Sequence, residues 1–122
     1  MSDGGSWVVG YWSTRDDRLR EMQYHLEAYD PKLPTLFVGD FNEEGDGKAV
    51  TLLTERGFAD AIAQFNGTKP TWSWTVRGGM TLRFQLDHIM HTAHLVPIAA
   101  TIVEAGRSDH KPIWADFVRM DP

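Results

Sequence analysis

The C-terminal part of this chain is built from strand-like segments that are apolar on both alternating faces, and this constrains the fold more than any other feature. Four such segments follow one another: Thr71–Val76, Leu82–Met90, Val96–Glu104 and Ile113–Val118, punctuated by Gly78-Gly79 and Gly106. Trp72 and Trp74 share one face of their strand, and Ile113, Ala115 and Phe117 share one face of theirs. The alternate residues Trp114 and Val118 are apolar too. An antiparallel sheet can leave one face wet, but a sheet with two apolar faces must be covered twice.

The preceding residues supply cover for one side only. After a small, polar start over Met1 to Ser6, Trp7–Trp12 reads as a short buried strand, and Ser13 or Thr14 as the cap of a helix. Asp16 and Asp17 suit the positive first turn of that helix. Leu19, Met22, Leu26 and Tyr29 form its apolar stripe, and Asp30-Pro31 ends it. Thr35–Val38 is a second strand stopping at Gly39. Asp46 is placed to cap a second helix carrying Val50, Leu52 and Leu53, with Gly57 closing it. Asn66 to Pro70 is a loop. The order is β-α-β-α followed by about four strands, an α+β pattern with one mostly antiparallel sheet and two helices on one face.

Size and composition narrow the chemistry. At 122 residues the chain fits one domain, 1–122, since two would each be too small to bury a core. The absence of cysteine excludes disulfides, thiol nucleophiles, cysteine-bound zinc and iron–sulfur clusters. A net charge of −5 argues against gripping nucleic acid through overall charge. No apolar run approaches the ~20 residues of a membrane helix, and the start is unlike a signal peptide. A cytoplasmic protein without a membrane span is expected.

Three clusters of polar residues sit at strand ends. In Gly39-Asp40-Phe41-Asn42-Glu43-Glu44 a carboxylate and an amide two apart can point into a common cleft, although Gly, Asp and Asn are also ordinary turn residues. An EF-hand reading fails because Thr51 stands where the bidentate Glu belongs, and a P-loop fails because Ala49 follows Gly47-Lys48. Leu86-Asp87-His88-Ile89-Met90 places a carboxylate in an apolar strand, where it needs a partner such as a histidine. His88, His91 and His94 do not converge on a metal, because strand alternation turns His91 away from the other two. Arg107-Ser108-Asp109-His110-Lys111-Pro112 puts a potential metal ligand beside a potential acid/base. Ser108 adjoins its would-be triad partner and lacks a nucleophile elbow. Arg77, Arg83, Arg107 and Lys111 read equally as a local basic rim or as solvated charges.

Gly-Asp-Phe-Asn, Leu-Asp-His-Ile and Ser-Asp-His-Lys-Pro, in this order, resemble the endonuclease/exonuclease/phosphatase superfamily over Trp7 to Phe117. The resemblance implies half of a DNase I-like four-layer α/β sandwich, namely its C-terminal half, and a phosphoester hydrolase dependent on Mg2+ or Mn2+. By that likeness Asp40 positions the attacking water, Asn42 holds the phosphate, Asp87 orients His110, His110 contacts the scissile phosphate and Asp109 is a metal ligand. Nucleic acid, phospholipid and sugar phosphate are all substrates within the superfamily. Departures bear on activity. The family's N-terminal Asn and chief metal-binding Glu have no counterpart here, and Trp12 stands where a catalytic His is usual. Reduced or lost hydrolysis is therefore expected, the alternatives being a non-catalytic remnant or a subunit completed by another chain. A homodimer packed through the bare sheet face is expected to restore the missing cover.

Overall fold

In the computed structural model, which describes residues 15–75, 78–104 and 109–120, the Leu19–Met22–Leu26 stripe lies on helix α1 (Arg15–Ala28). Met22 and Leu26 are buried, and Tyr29 packs against the same cluster beyond the helix end. The expected strand Trp7–Trp12, the Ser13 or Thr14 cap, Arg77, Arg107 and Ser108 lie outside the described residues. Strand β1 (Leu36–Asp40) follows, running two residues further than Val38.

Helix α2 (Lys48–Glu55) begins after Gly47, not with a cap from Asp46. Glu43 reaches forward instead, and its Oε1 accepts from Val50 N at 2.8 Å, satisfying an amide that the first turn leaves open. A Cβ on Gly47 would run into the Glu43 side chain, so this position must stay bare. Gly57, at φ +93°, closes the helix as expected. The two-residue strand β2 (Ala59–Asp60) leads into a third helix, α3 (Ala61–Asn66), which Asp60 caps through Ile62 N at 3.0 Å.

The remaining elements are β3 (Trp72–Thr75), β4 (Thr81–Phe84), β5 (Asp87–His91), β6 (Leu95–Ile102) and β7 (Ile113–Arg119). The class is α+β, helices with antiparallel sheets, but the expected single sheet with two helices is corrected on two counts. Three helices are present among the described residues, and the strands form three hydrogen-bonded sets: β1-β5-β2, β3-β4 and β6-β7. The segment Leu82–Met90 is interrupted because side chains take its amides. Gln85 N donates to Glu44 Oε2 at 3.1 Å, while Leu86 N and Asp87 N both donate to Thr71 Oγ1 at 3.0 Å.

Alternation along β1 feeds two cores. Phe37 joins Met22, Leu26, Phe41, Val50, Leu53, Phe58 and Met90 beneath α1 and α2. Val38 joins Ile62, Ile89, Ala100 and Ile102, with Ile113, Ala115 and Phe117 of β7 packed alongside. The central sheet is thus covered twice, by helices on one side and by α3 with the β6–β7 ribbon on the other. The uncovered apolar surface moves to the outside of that ribbon, where Val96, Ile98, Trp114 and Val118 are exposed. No helix among the described residues is long and apolar enough to cross a membrane.

Candidate active site

Antiparallel pairing of β1 with β5 sets Asp40 directly opposite Asp87. Two carboxylates side by side repel, and a cation between them relieves the repulsion. His110 fills that position. Its Nδ1 lies 2.9 Å from Asp87 Oδ2 and its Nε2 lies 3.4 Å from Asp40 Oδ2. The backbone brings His110 there through an isolated antiparallel bridge to Trp72, flanked by Ser73 N to Asp109 O at 2.9 Å and Lys111 N to Thr71 O at 2.7 Å.

The turn after β1 is shaped by its own polar residues. Asp40 Oδ1 accepts from Asn42 N at 2.7 Å, and Asn42 takes φ +54°, a left-handed conformation that Asn tolerates better than most residues. Phe41 and Glu43 turn inward while Asn42 stays exposed. Glu43 is tied to Arg18 Nε at 3.3 Å and to α2, and its carbonyl oxygen accepts from His88 Nε2 at 2.7 Å. The other ring nitrogen of His88 lies 2.7 Å from Asp60 Oδ2. His88 is therefore a buried strut between α3's cap and the site loop.

Asp40, Asn42 and His110 line a cleft of about 720 Å³ together with Glu43, Glu44, Lys48, Trp72, Phe84 and Leu86. Trp72 and Phe84 stack across the β3–β4 hairpin at 5.9 Å between ring centres. Ligand atoms of Asp40, Asp87 and His110 all lie within 4.8 Å of one another; a ring that gives both N–H groups to carboxylates has no lone pair for a metal, which leaves the two carboxylates as the donors for a divalent cation. The structure brings together Asp40, Asn42, Asp87 and His110 as expected. Asp109, expected as the metal ligand, falls outside that cluster: its Oδ2 accepts from Trp72 Nε1 at 3.3 Å. Among the expected basic residues, Lys111 pairs with Glu104 at 2.8 Å, and Arg83 lies opposite Ser73, on the hairpin face away from Trp72 and Phe84. The described cations that line the cleft are Arg18 and Lys48.

The charges are coupled. Burial pushes the Asp40 carboxyl above its ordinary value of 3.8; the Asn42 amide opposes the rise and the Asp87 charge adds to it. At His110 burial works against the charged ring, but the Asp87 hydrogen bond and the charges of Asp87, Asp40 and Asp109 outweigh it and raise its pKa above 6.5. His88 is raised in the same way by Asp60. A raised folded-state pKa contributes stability that is complete below the unfolded value and lost as pH rises through the folded one. The two histidines thus stabilise the fold below 6.5 and cease to do so above their folded values. The urea midpoint is expected to fall as pH rises from 6.5 through the folded-state values of the two histidines; a midpoint that rises over this interval contradicts the assignment.

The model of the endonuclease/exonuclease/phosphatase family matches residues 4–110. Among solved structures, the chain is similar to an endonuclease/exonuclease/phosphatase from Beutenbergia cavernae DSM 12333, with a TM-score of 0.66 at 18% identity over 89% of this chain. It is also similar to a functionally unknown conserved protein from Enterococcus faecalis V583, with a TM-score of 0.62 at 20% identity over 86%. The chain spans 33% and 44% of those two proteins. No curated protein matches it. Match and fold agree with the strand-end clusters, and the chain belongs to the endonuclease/exonuclease/phosphatase family.

Proposed function

We propose that the cleft hydrolyses phosphoesters, phosphodiesters in particular, with Mg2+ or Mn2+. The observation that carries this reading is the His110 ring held between Asp87 and Asp40 at the mouth of the cleft. With Asp87 taking Nδ1–H, His110 presents a second N–H at Nε2, a charge-assisted donor for a phosphoryl oxygen as negative charge grows on it. Asn42 adds a neutral amide donor from the exposed side of the turn. Asp40, with Oδ1 fixed by Asn42 N, orients a water through Oδ2 and takes its proton as the new O–P bond forms. The P–O bond to the leaving group breaks and the departing oxygen takes a proton from solvent, giving an alcohol and a phosphomonoester.

The donors fit a hydrated, oxygen-ligated cation, since magnesium is usually bound by one or two carboxylates and several waters. Asp40 and Asp87 would hold it, with Asp109 as the further ligand that the family resemblance implies. Bound there, it would neutralise phosphate charge. Asp87 already serves His110, and Glu43 and Glu44 are spent on Arg18, Val50 and Gln85. Weak metal binding and reduced turnover by this chain alone follow. The reading that the chain corresponds to one half of a larger sandwich, or is completed by another chain, is supported by the 33–44% spans. A cytoplasmic setting belongs to the same reading. Turnover of bis(p-nitrophenyl) phosphate is expected with Mn2+ or Mg2+ and is expected to stop on chelation; chelator-insensitive turnover would count against the proposal.

A homodimer through the outer face of the β6–β7 ribbon is part of this proposal. Val96 faces Val118 across the ribbon, the irregularity between Pro97 and Ala99 leaves Ile98 exposed, and Trp114 stands further along, opposite Thr101, with the exposed Asp116 between it and Val118. An isologous contact would bury the apolar side chains among them. Sedimentation at micromolar concentration is expected to give twice the chain mass; a monomer would refute this contact.

A further inference from the structure

Thr71 is fully buried, just before β3, and makes four hydrogen bonds. Its Oγ1 accepts from Leu86 N and from Asp87 N, both at 3.0 Å. Its amide donates to Phe84 O at 3.1 Å, and its carbonyl oxygen accepts from Lys111 N at 2.7 Å. Both acceptor sites of the hydroxyl are therefore filled by consecutive amides, one of them belonging to Asp87. The carbonyl of the same residue fastens the backbone next to His110.

We infer that Thr71 is a positioning residue for the Asp87–His110 pair, holding the two backbones that carry it at the spacing their hydrogen bond requires. The Gln85–Leu86 break between β4 and β5 makes the hydroxyl necessary. There the strand ladder ends, and Leu86 N and Asp87 N take a side-chain oxygen in place of a neighbouring strand. Valine would fill the same volume while taking the acceptor from the half-buried Leu86 amide and from the buried Asp87 amide, and leaving the latter unpaired is costly. The start of β5 would then shift, moving Asp87 away from His110 Nδ1.

The kinetic part of the test rests on the proposed phosphoesterase reading; the spectroscopic part does not. In histidine-15N-labelled protein, the His110 Nδ1 proton should appear at low field and exchange slowly, assigned by its loss in Asp87→Asn. Thr71→Val is expected to abolish or broaden that signal and to lower kcat roughly 10- to 100-fold, as loss of an orienting partner does elsewhere, with KM unchanged. Thr71→Ser, which keeps the hydroxyl, is expected to retain both. A folded Thr71→Val protein with an unaltered His110 proton overturns the inference. So does a Thr71→Ser protein that behaves like the valine variant, since methyl packing would then be the cause. Should Thr71→Val fail to fold, Thr71→Cys, whose sulfur accepts weakly, takes its place with the same two outcomes. If the parent shows no turnover at all, the phosphoesterase reading falls while the proton signal still decides the role of Thr71.

Discussion

Asp40→Asn is expected to lower phosphodiester hydrolysis by roughly 10²- to 10⁴-fold, the usual scale for loss of a general base, without unfolding the chain. The amide is isosteric with the carboxyl, and its oxygen can go on accepting from Asn42 N, so the left-handed turn keeps its anchor. What disappears is the charge that takes the proton from water and helps to hold a cation. Stability is not expected to fall, because burial and the facing Asp87 already oppose ionisation at this position. A carboxylate kept in such a place despite its cost fits function better than folding. Initial rates with Mn2+ and a urea midpoint on the same preparation separate the two effects. A rate equal to the parent's would remove Asp40 from the mechanism.

His88→Ala is expected to cost about 3–5 kcal/mol of folding stability, the scale for breaking a buried pair by deleting one partner. The Glu43 carbonyl can only accept, so Nε2 of His88 carries a proton; Nδ1 faces the Asp60 carboxylate and is held protonated as well. Removing the ring strands a carboxylate whose side chain is only 10% exposed, leaves the Glu43 carbonyl without this donor and opens a void against Phe41. Asp60 retains only the amides of Ile62 and Ile89, at 3.0 and 3.4 Å. The loop from Asp40 to Glu44 loses its tie to β5, so activity should fall along with stability. A loss below about 1 kcal/mol in urea unfolding, the range of an ordinary substitution, would contradict the buried ion pair.

Residues whose surroundings follow from local chain order were legible in the sequence. Spacing alone put Met22 and Leu26 on one buried face of a helix, and a carboxylate in an apolar strand called for a partner that proved to be His110. Residues whose partners lie far away in the chain were not. Arg18 meets Glu43 across 25 residues, and no local pattern in α1 announces that one of its charged residues is buried. Helix α3 has six residues, under two turns and too few to show a repeating apolar stripe, although Asp60 before it and Gly67 after it mark its ends. The break in Leu82–Met90 depends on Glu44 and Thr71 reaching in from other segments. The hydrogen bond from the Trp72 indole to the Asp109 carboxylate joins residues 37 apart, and no local pattern announced it.

The central claim is that His110, held between Asp87 and Asp40, acts on a phosphoester. Its most direct test is the rate of bis(p-nitrophenyl) phosphate hydrolysis with Mn2+ by the parent chain and by His110→Ala, prepared side by side. His110 is about one-third exposed and tops the site without filling a core, so the variant is expected to fold. Slow turnover by the parent and a loss of roughly 10²-fold or more in the variant is the predicted result. Equal rates in the two proteins, or no turnover by the parent at any Mn2+ concentration, would contradict it.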